Sequence, residues 1–141
     1  MRRLAVALLL ALVACVSDGS DRVAPSVQRV TADGVHTLSV GMPPAGLPFN
    51  EPFELEVVVS RVDGAPAGDL AVRPSGWMPD HGHGLVQHPR AEPVGGGRFR
   101  THGWLLHMRG RWELRFDVVA ADSDPRLDTS LQRASVEVVL P

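Results

Sequence analysis

The chain is poor in three things: cysteine, basic surface and helical pattern. Of 141 residues only Cys15 is a cysteine. The chain beyond it therefore has no internal disulfide and no thiolate for catalysis or metal binding. Fourteen basic residues stand against sixteen acidic ones, for a formal net charge of −2. No basic stripe exists, so nucleic-acid binding has no electrostatic basis and no nucleic-acid partner is expected. A nucleophile elbow, a phosphate-cradling glycine loop and paired carboxylates in an apolar setting are all missing. No residue set stands out as a Ser-His-Asp arrangement either, so the expectation is a protein that is not an enzyme. No helical period is found beyond the first residues, and there are no internal repeats.

The first residues carry the clearest signal. Arg2 and Arg3 form a positive n-region, Leu4 to Val13 is an unbroken apolar run, and small Ala14 precedes Cys15. This is the layout of a secretory signal peptide. The run is shorter than the roughly 20 apolar residues a spanning helix needs. A polar stretch, Ser17-Asp18-Gly19-Ser20-Asp21, follows at once and argues against a buried helix. The residues Leu12-Val13-Ala14-Cys15 resemble the bacterial lipobox. That resemblance implies cleavage before Cys15, acylation of its thiol and of the new amino group, and a membrane partner reached through the lipid. Several acyl chains hold firmly where one binds only marginally, at about 0.8 kcal/mol per buried CH₂. Val16 stands where an aspartate would mark inner-membrane retention, so the outer membrane is favoured over the inner. Arg2-Arg3 lacks the other residues of the twin-arginine route, and ordinary export is expected. The expected organisation is a signal peptide over 1–14, a lipidated cysteine and tether over 15–25, and one domain over 26–141.

Within that domain, 14 glycines and 12 prolines are counted over the whole chain, and valine-rich runs lie between them. Breakers alternating with such runs predict short strands and many turns. Strands are expected at Ser26–Ala32, Val35–Val40, Phe53–Ser60, Leu70–Arg73, Arg98–Met108, Trp112–Val118 and Val136–Leu140. Two of them alternate clearly. Phe53, Leu55, Val57 and Val59 fall on one face, as do Trp112, Leu114, Phe116 and Val118. Residues 74–84 are expected to be irregular. About seven antiparallel strands fit an all-β, immunoglobulin-like sandwich, with a small barrel as the other option.

The histidines are unevenly spread. His81, His83 and His88 fall within eight positions, and His102 and His107 flank Trp104. Imidazole suits copper, zinc and nickel, while the soft thioether of methionine selects Cu(I). An exported domain without thiols would have to hold copper through His and Met. The candidate metal ligands are Met78, His81, His83, His107 and Met108, with copper ahead of zinc. In an extended segment His81 and His83 point the same way, and Gly82 and Gly84 let the backbone bend around an ion. His107 and Met108 are neighbours, so a regular strand sends them to opposite faces; a bulge at Gly103 would relax that. Plainer roles exist for each. Glycine-flanked histidines are often exposed turn residues, Met78 and Met108 can be core packing, and Asp80 is a natural turn residue. Trp77, Trp104 and Trp112 are expected to anchor the core.

Trp77-Met78-Pro79-Asp80-His81-Gly82-His83-Gly84, then Gly97-Arg98-Phe99, then Leu106-His107-Met108-Arg109-Gly110-Arg111-Trp112-Glu113-Leu114 together resemble the YtkA-like domain family, whose relatives include FixH-type proteins. The resemblance covers roughly residues 50 to 120. It departs at Arg109, where proline is usual, which bears on turn rigidity. It implies an immunoglobulin-like β-fold, and for some members a setting beside copper or cytochrome-oxidase assembly. It carries over Met78, His83 and Met108, with His81 an extra histidine here. Two functions follow. One is an envelope copper chaperone or buffer. The other is a non-catalytic interaction module, without metal, that meets an envelope protein partner.

Overall fold

Alternation along the two clearest segments is what builds the domain. A computed structural model describes residues 25–124 and 132–141. The expected signal peptide, Cys15 and all of the tether but residue 25 lie outside the described residues. Nine strands form: β1 (Ser26–Val30), β2 (His36–Gly41), β3 (Phe53–Arg61), β4 (Leu70–Met78), β5 (His83–Gly84), β6 (Arg90–Gly95), β7 (Arg98–Trp104), β8 (Gly110–Ala120) and β9 (Arg133–Leu140). The described residues contain no helix. One antiparallel sheet has the order β1-β2-β3-β7-β6 and the other β5-β4-β8-β9. The two face each other as a β-sandwich.

Leu55, Val57 and Val59 of β3 and Trp112, Leu114, Phe116 and Val118 of β8 all turn inward and are buried. Leu38, Val40, Phe99, Val72, Ala134 and Val136 complete the layer. Each large apolar side chain taken out of water contributes about 1.5–3 kcal/mol. Across the sandwich the Trp104 ring tilts against Phe116 at 5.6 Å between centroids. Trp104 also brings a polar N–H inside. That N–H donates to the Thr101 hydroxyl at 2.8 Å, which in turn donates to the Leu55 carbonyl at 3.0 Å. The Trp104 N–H and the Thr101 hydroxyl are thereby both satisfied, as burial requires.

The structure departs from the expected strands in three places. The strand expected over 70–73 continues through Pro74 to Met78, where an irregular segment was expected. Pro74 faces Phe116 of β8, while β5 pairs only with Trp77 and Met78. At Pro74 the strand is thus an edge, where a missing N–H is tolerated. β6 was not anticipated because it holds Pro93, faces solvent over most of its length and shifts register near Gly95. β5 is two residues long and carries no periodic signal. Trp77 departs from its expected core role as well. Of the three tryptophans only Trp104 and Trp112 are fully buried, whereas Trp77 is half-buried with the Arg115 guanidinium 5.2 Å above its ring.

The registers fix which loops share an end. Ser26 pairs with Gly41, Phe53 with Trp104, Trp77 with Glu113, and Gly110 with Leu140. One end therefore gathers the start of β1, the β2–β3 loop, the β4–β5 turn, the β7–β8 loop and the end of β9. The other end gathers the β1–β2, β3–β4 and β6–β7 connections.

Candidate functional site

Two of the end-gathered segments, 79–84 and 105–109, carry the histidines singled out above. The first is a tight turn. The Met78 carbonyl accepts from His81 N–H at 3.2 Å and from Gly82 N–H at 2.9 Å. Gly82 closes it at φ +68°, in the left-handed region that glycine enters without strain. The two-residue alternation of an extended segment therefore does not apply to His81 and His83. His81 is exposed on the turn, and only His83 enters a strand. The two rings still lie 5.8 Å apart.

β5 is held in place from beneath. His83 pairs with Met78 and Gly84 with Trp77. Leu85 then seats on Gly76, where any Cβ would come within 2.7 Å of the leucine side chain. Paired residues on adjacent strands share a face, so His83 stands beside Met78, which is fully buried. The turn is strapped from outside by Arg111, whose Nη2 donates to Asp80 Oδ1 at 2.8 Å and whose Nη1 is 3.6 Å from Glu137. The hydrogen bond, and then the charge, of Arg111 hold the Asp80 carboxyl below its usual range. Asp80 is thus a turn clamp.

The second segment leaves β7 after Trp104. A register shift opposite Glu54, between the Phe53 and Leu55 pairings, marks a bulge, and Gly103 there has φ +81°. Beyond it, residues 105–109 are not strand, so the alternation of His107 and Met108 does not apply. Asn50 N–H donates to the Leu106 carbonyl at 2.9 Å. Trp112 Nε1–H donates to the Met108 carbonyl at 2.9 Å, which ties the loop to the floor of the core. Gly110, at φ +114°, brings the backbone to Met78, whose Cε would stand 3.1 Å from a Cβ there.

The result joins the two distant segments. His83 and His107 have ring centroids 5.6 Å apart, and both stand against Trp112, at 6.2 and 5.5 Å, with their planes steeply inclined to the indole. His83 Nδ1 lies 2.9 Å from the Gly84 carbonyl. A carbonyl only accepts, so Nδ1 carries the proton, and in the neutral ring Nε2 is then the nitrogen with the lone pair. Such second contacts commonly orient a ligating imidazole. His107 Nδ1 is buried and has no hydrogen-bond partner. An unpaired buried polar atom costs about 1–3 kcal/mol and asks for an explanation. Met78 lines the pair from inside, and half-buried Met108 packs against the core next to it.

The remaining histidines scatter. His102 is on β7, 3.2 Å from Glu92 on β6, and His88 is exposed in the β5–β6 link. His36 begins β2 at the far end of the sandwich. Among the described residues, no three His, Cys, Asp or Glu side chains are grouped so as to hold a metal ion. Any ion here would need thioether donors as well as imidazole, as the sequence reading supposed. The residue that sequence reasoning left in the core, and which the structure brings to the site, is Trp112. Its only sequence signal was its nearness to Met108. In comparisons with known proteins, no family model, no curated protein and no solved structure matches the chain.

Proposed function

We propose that this protein is an envelope lipoprotein that holds copper as Cu(I), for buffering or hand-over, at the His83–His107 end of an immunoglobulin-like sandwich of the YtkA-like kind. The observation that carries the reading is the buried, unpartnered His107 Nδ1 beside His83. It is a donor atom kept dry at an energetic cost, next to a second imidazole with a free lone pair and beside methionine. Two imidazoles bound to one ion at about 2.0 Å through nitrogen have centroids roughly 5–6 Å apart, which the 5.6 Å separation fits. Thioether sulfur from Met78 or Met108 suits a soft monovalent ion. His81, on the exposed turn, is an entry ligand. The chain's role is capture and release, and no redox step is needed.

Strand order supports the immunoglobulin-like assignment. With β1 set aside, β2-β3-β7-β6 and β5-β4-β8-β9 follow the A-B-E-D and C′-C-F-G orders of that fold. The lipid anchor at Cys15, cleavage after residue 14 and an outer-membrane, periplasm-facing location rest on the sequence pattern alone.

The test is a Cu(I) titration of the full chain carrying Cys15→Ser, against a competing chelator. One ion should bind at least 100-fold more tightly than to a variant that also carries His83→Ala and His107→Ala. Equal affinity ends the copper reading. For the anchor, mass spectrometry of protein from native envelopes should find acyl chains on Cys15; an unmodified residue 15, or an intact residue 14, would sink it. A second reading, an interaction module without metal, is favoured by the absence of a three-residue His, Cys, Asp or Glu group among the described residues. A partner retained after chelation would favour that reading over copper.

A further inference from the structure

The copper reading uses His83, His107 and a methionine, and leaves Trp112 unexplained. Trp112 is fully buried, and its N–H is already spent on the Met108 carbonyl. What remains available is the π-face and edge of the ring. Both imidazoles stand steeply against that ring, with interplanar angles of 74° for His83 and 69° for His107, while the imidazoles are inclined by 31° to each other. The three centroids form a near-equilateral triangle with sides of 5.6, 5.5 and 6.2 Å. The point equidistant from all three lies about 3.3 Å from each, since the product of the sides divided by four times the triangle's area fixes that radius, and a cation within about 6 Å of an aromatic centroid is attracted by the ring quadrupole. A metal bound at about 2.0 Å through an imidazole nitrogen sits about 3.2 Å from the ring centre. One point therefore lies at metal-binding distance from both imidazole centroids and within cation–π reach of the indole.

Charge narrows what can occupy it. The nearest carboxylate on the turn, Asp80, is spent on Arg111, and the ligand set is otherwise neutral. A divalent zinc ion takes four ligands, commonly with thiolate or carboxylate among them. A soft monovalent ion needs less charge compensation and accepts thioether and imidazole. Water is kept out on the inner side by Trp112, Met78 and Leu106, all fully buried. We infer that Trp112 forms the third wall of the site, and that its indole makes the site select monovalent soft cations, Cu(I) and Ag(I), over Zn(II) and Cu(II). This rests on the copper reading and specifies its cargo.

Silver(I) is the probe, because it is redox-inert and stays monovalent. The full chain with Cys15→Ser is titrated in chloride-free buffer, with bound metal counted by native mass spectrometry and tryptophan emission followed in parallel. One Ag(I) should bind and lower the emission, and a 100-fold excess of Zn(II) should neither displace it nor reproduce the change. Trp112→Phe should bind Ag(I) about tenfold more weakly or worse, with Trp77 and Trp104 alone showing no metal-dependent loss. Should Trp112→Phe fail to fold, the parent decides: unchanged emission at full occupancy overturns the indole wall. Equal Ag(I) affinity in a folded Trp112→Phe overturns it too, as does displacement by Zn(II). In these cases binding persists and the copper reading stands. If the parent binds no Ag(I), or His83→Ala with His107→Ala binds as well as the parent, the copper reading fails and the indole wall falls with it.

Discussion

The two ends of this sandwich are built by different means. At the far end glycine and backbone hydrogen bonds close the connections, some within one turn and some between segments, such as Val59 N–H to the Gly97 carbonyl at 2.8 Å and Ala32 N–H to the Arg133 carbonyl at 3.0 Å. Asp63 accepts from Arg61 at 2.7 Å and from Ala65 N–H at 3.0 Å, within three consecutive turn positions and the strand beside them. Gly97, at φ +75°, packs so closely that a Cβ would lie 2.4 Å from the Val59 carbonyl oxygen. The near end is tied chiefly through side chains. Trp112 holds the Met108 carbonyl, Arg111 holds Asp80, and Leu85 sits on Gly76. Each end leaves one buried imidazole nitrogen unsatisfied, His107 Nδ1 here and His36 Nδ1 at the far end. Only at the near end do these contacts bring a second imidazole, His83, beside the orphan nitrogen.

Substitutions can break this contrast in order of expected size. Trp112→Ala should cost about 3–5 kcal/mol in denaturant unfolding, since it empties a large core volume, and should abolish metal binding. Gly97→Ala should cost about 1–3 kcal/mol from strain at positive φ and the close carbonyl, yet leave Cu(I) affinity of the folded fraction unchanged. A matching loss of affinity would mean that the two ends are coupled. His107→Leu is the sharpest case. Removing the orphan nitrogen should leave the metal-free protein as stable or up to about 1 kcal/mol more stable, while Cu(I) binding falls at least 100-fold. A destabilised apo variant would show that His107 serves packing rather than a ligand role.

The smallest effect concerns acid. Each end has an aspartate–arginine pair. Asp63 is lowered to about 2, chiefly by its hydrogen bond with Arg61, and Asp80 is lowered by Arg111. A depressed carboxyl contributes stability above its unfolded value of 3.8 and loses it as pH falls through the lower folded value. Thermal melts should therefore show the parent converging on Asp80→Asn only below pH 3.8. Convergence already at neutral pH would mean that the Arg111 strap carries nothing. Both pairs are exposed, so screening keeps these differences small.

How much was legible in the sequence follows the same division. β3 and β8 were readable because each has one wet face and one dry face, and period-two alternation survives in the residue types. β6 was not, because an exposed edge strand with Pro93 has no dry face to mark. The reach of β4 past Pro74 depended on which neighbour lay beside it, and pairing is not written in a single strand. At the candidate site, residue types pointed to His83, His107, Met78 and Met108 as possible donors. What remained hidden was every tie made between distant positions: Asp80 to Arg111, Leu85 on Gly76, and Trp112 against both imidazoles. Sequence spacing also misjudged His81, since a turn at Gly82 removes the two-residue rule that an extended segment would obey.

The near end also receives the tail of the chain. Leu140 pairs with Gly110, and the Arg109 guanidinium donates to the Pro141 carbonyl while covering Phe49 at 4.5 Å. A polyhistidine purification handle fused after Pro141 would therefore hang over the very rim where His83 and His107 meet, and supply competing imidazoles of its own. Metal work on this protein therefore calls for a purification handle that carries no imidazole.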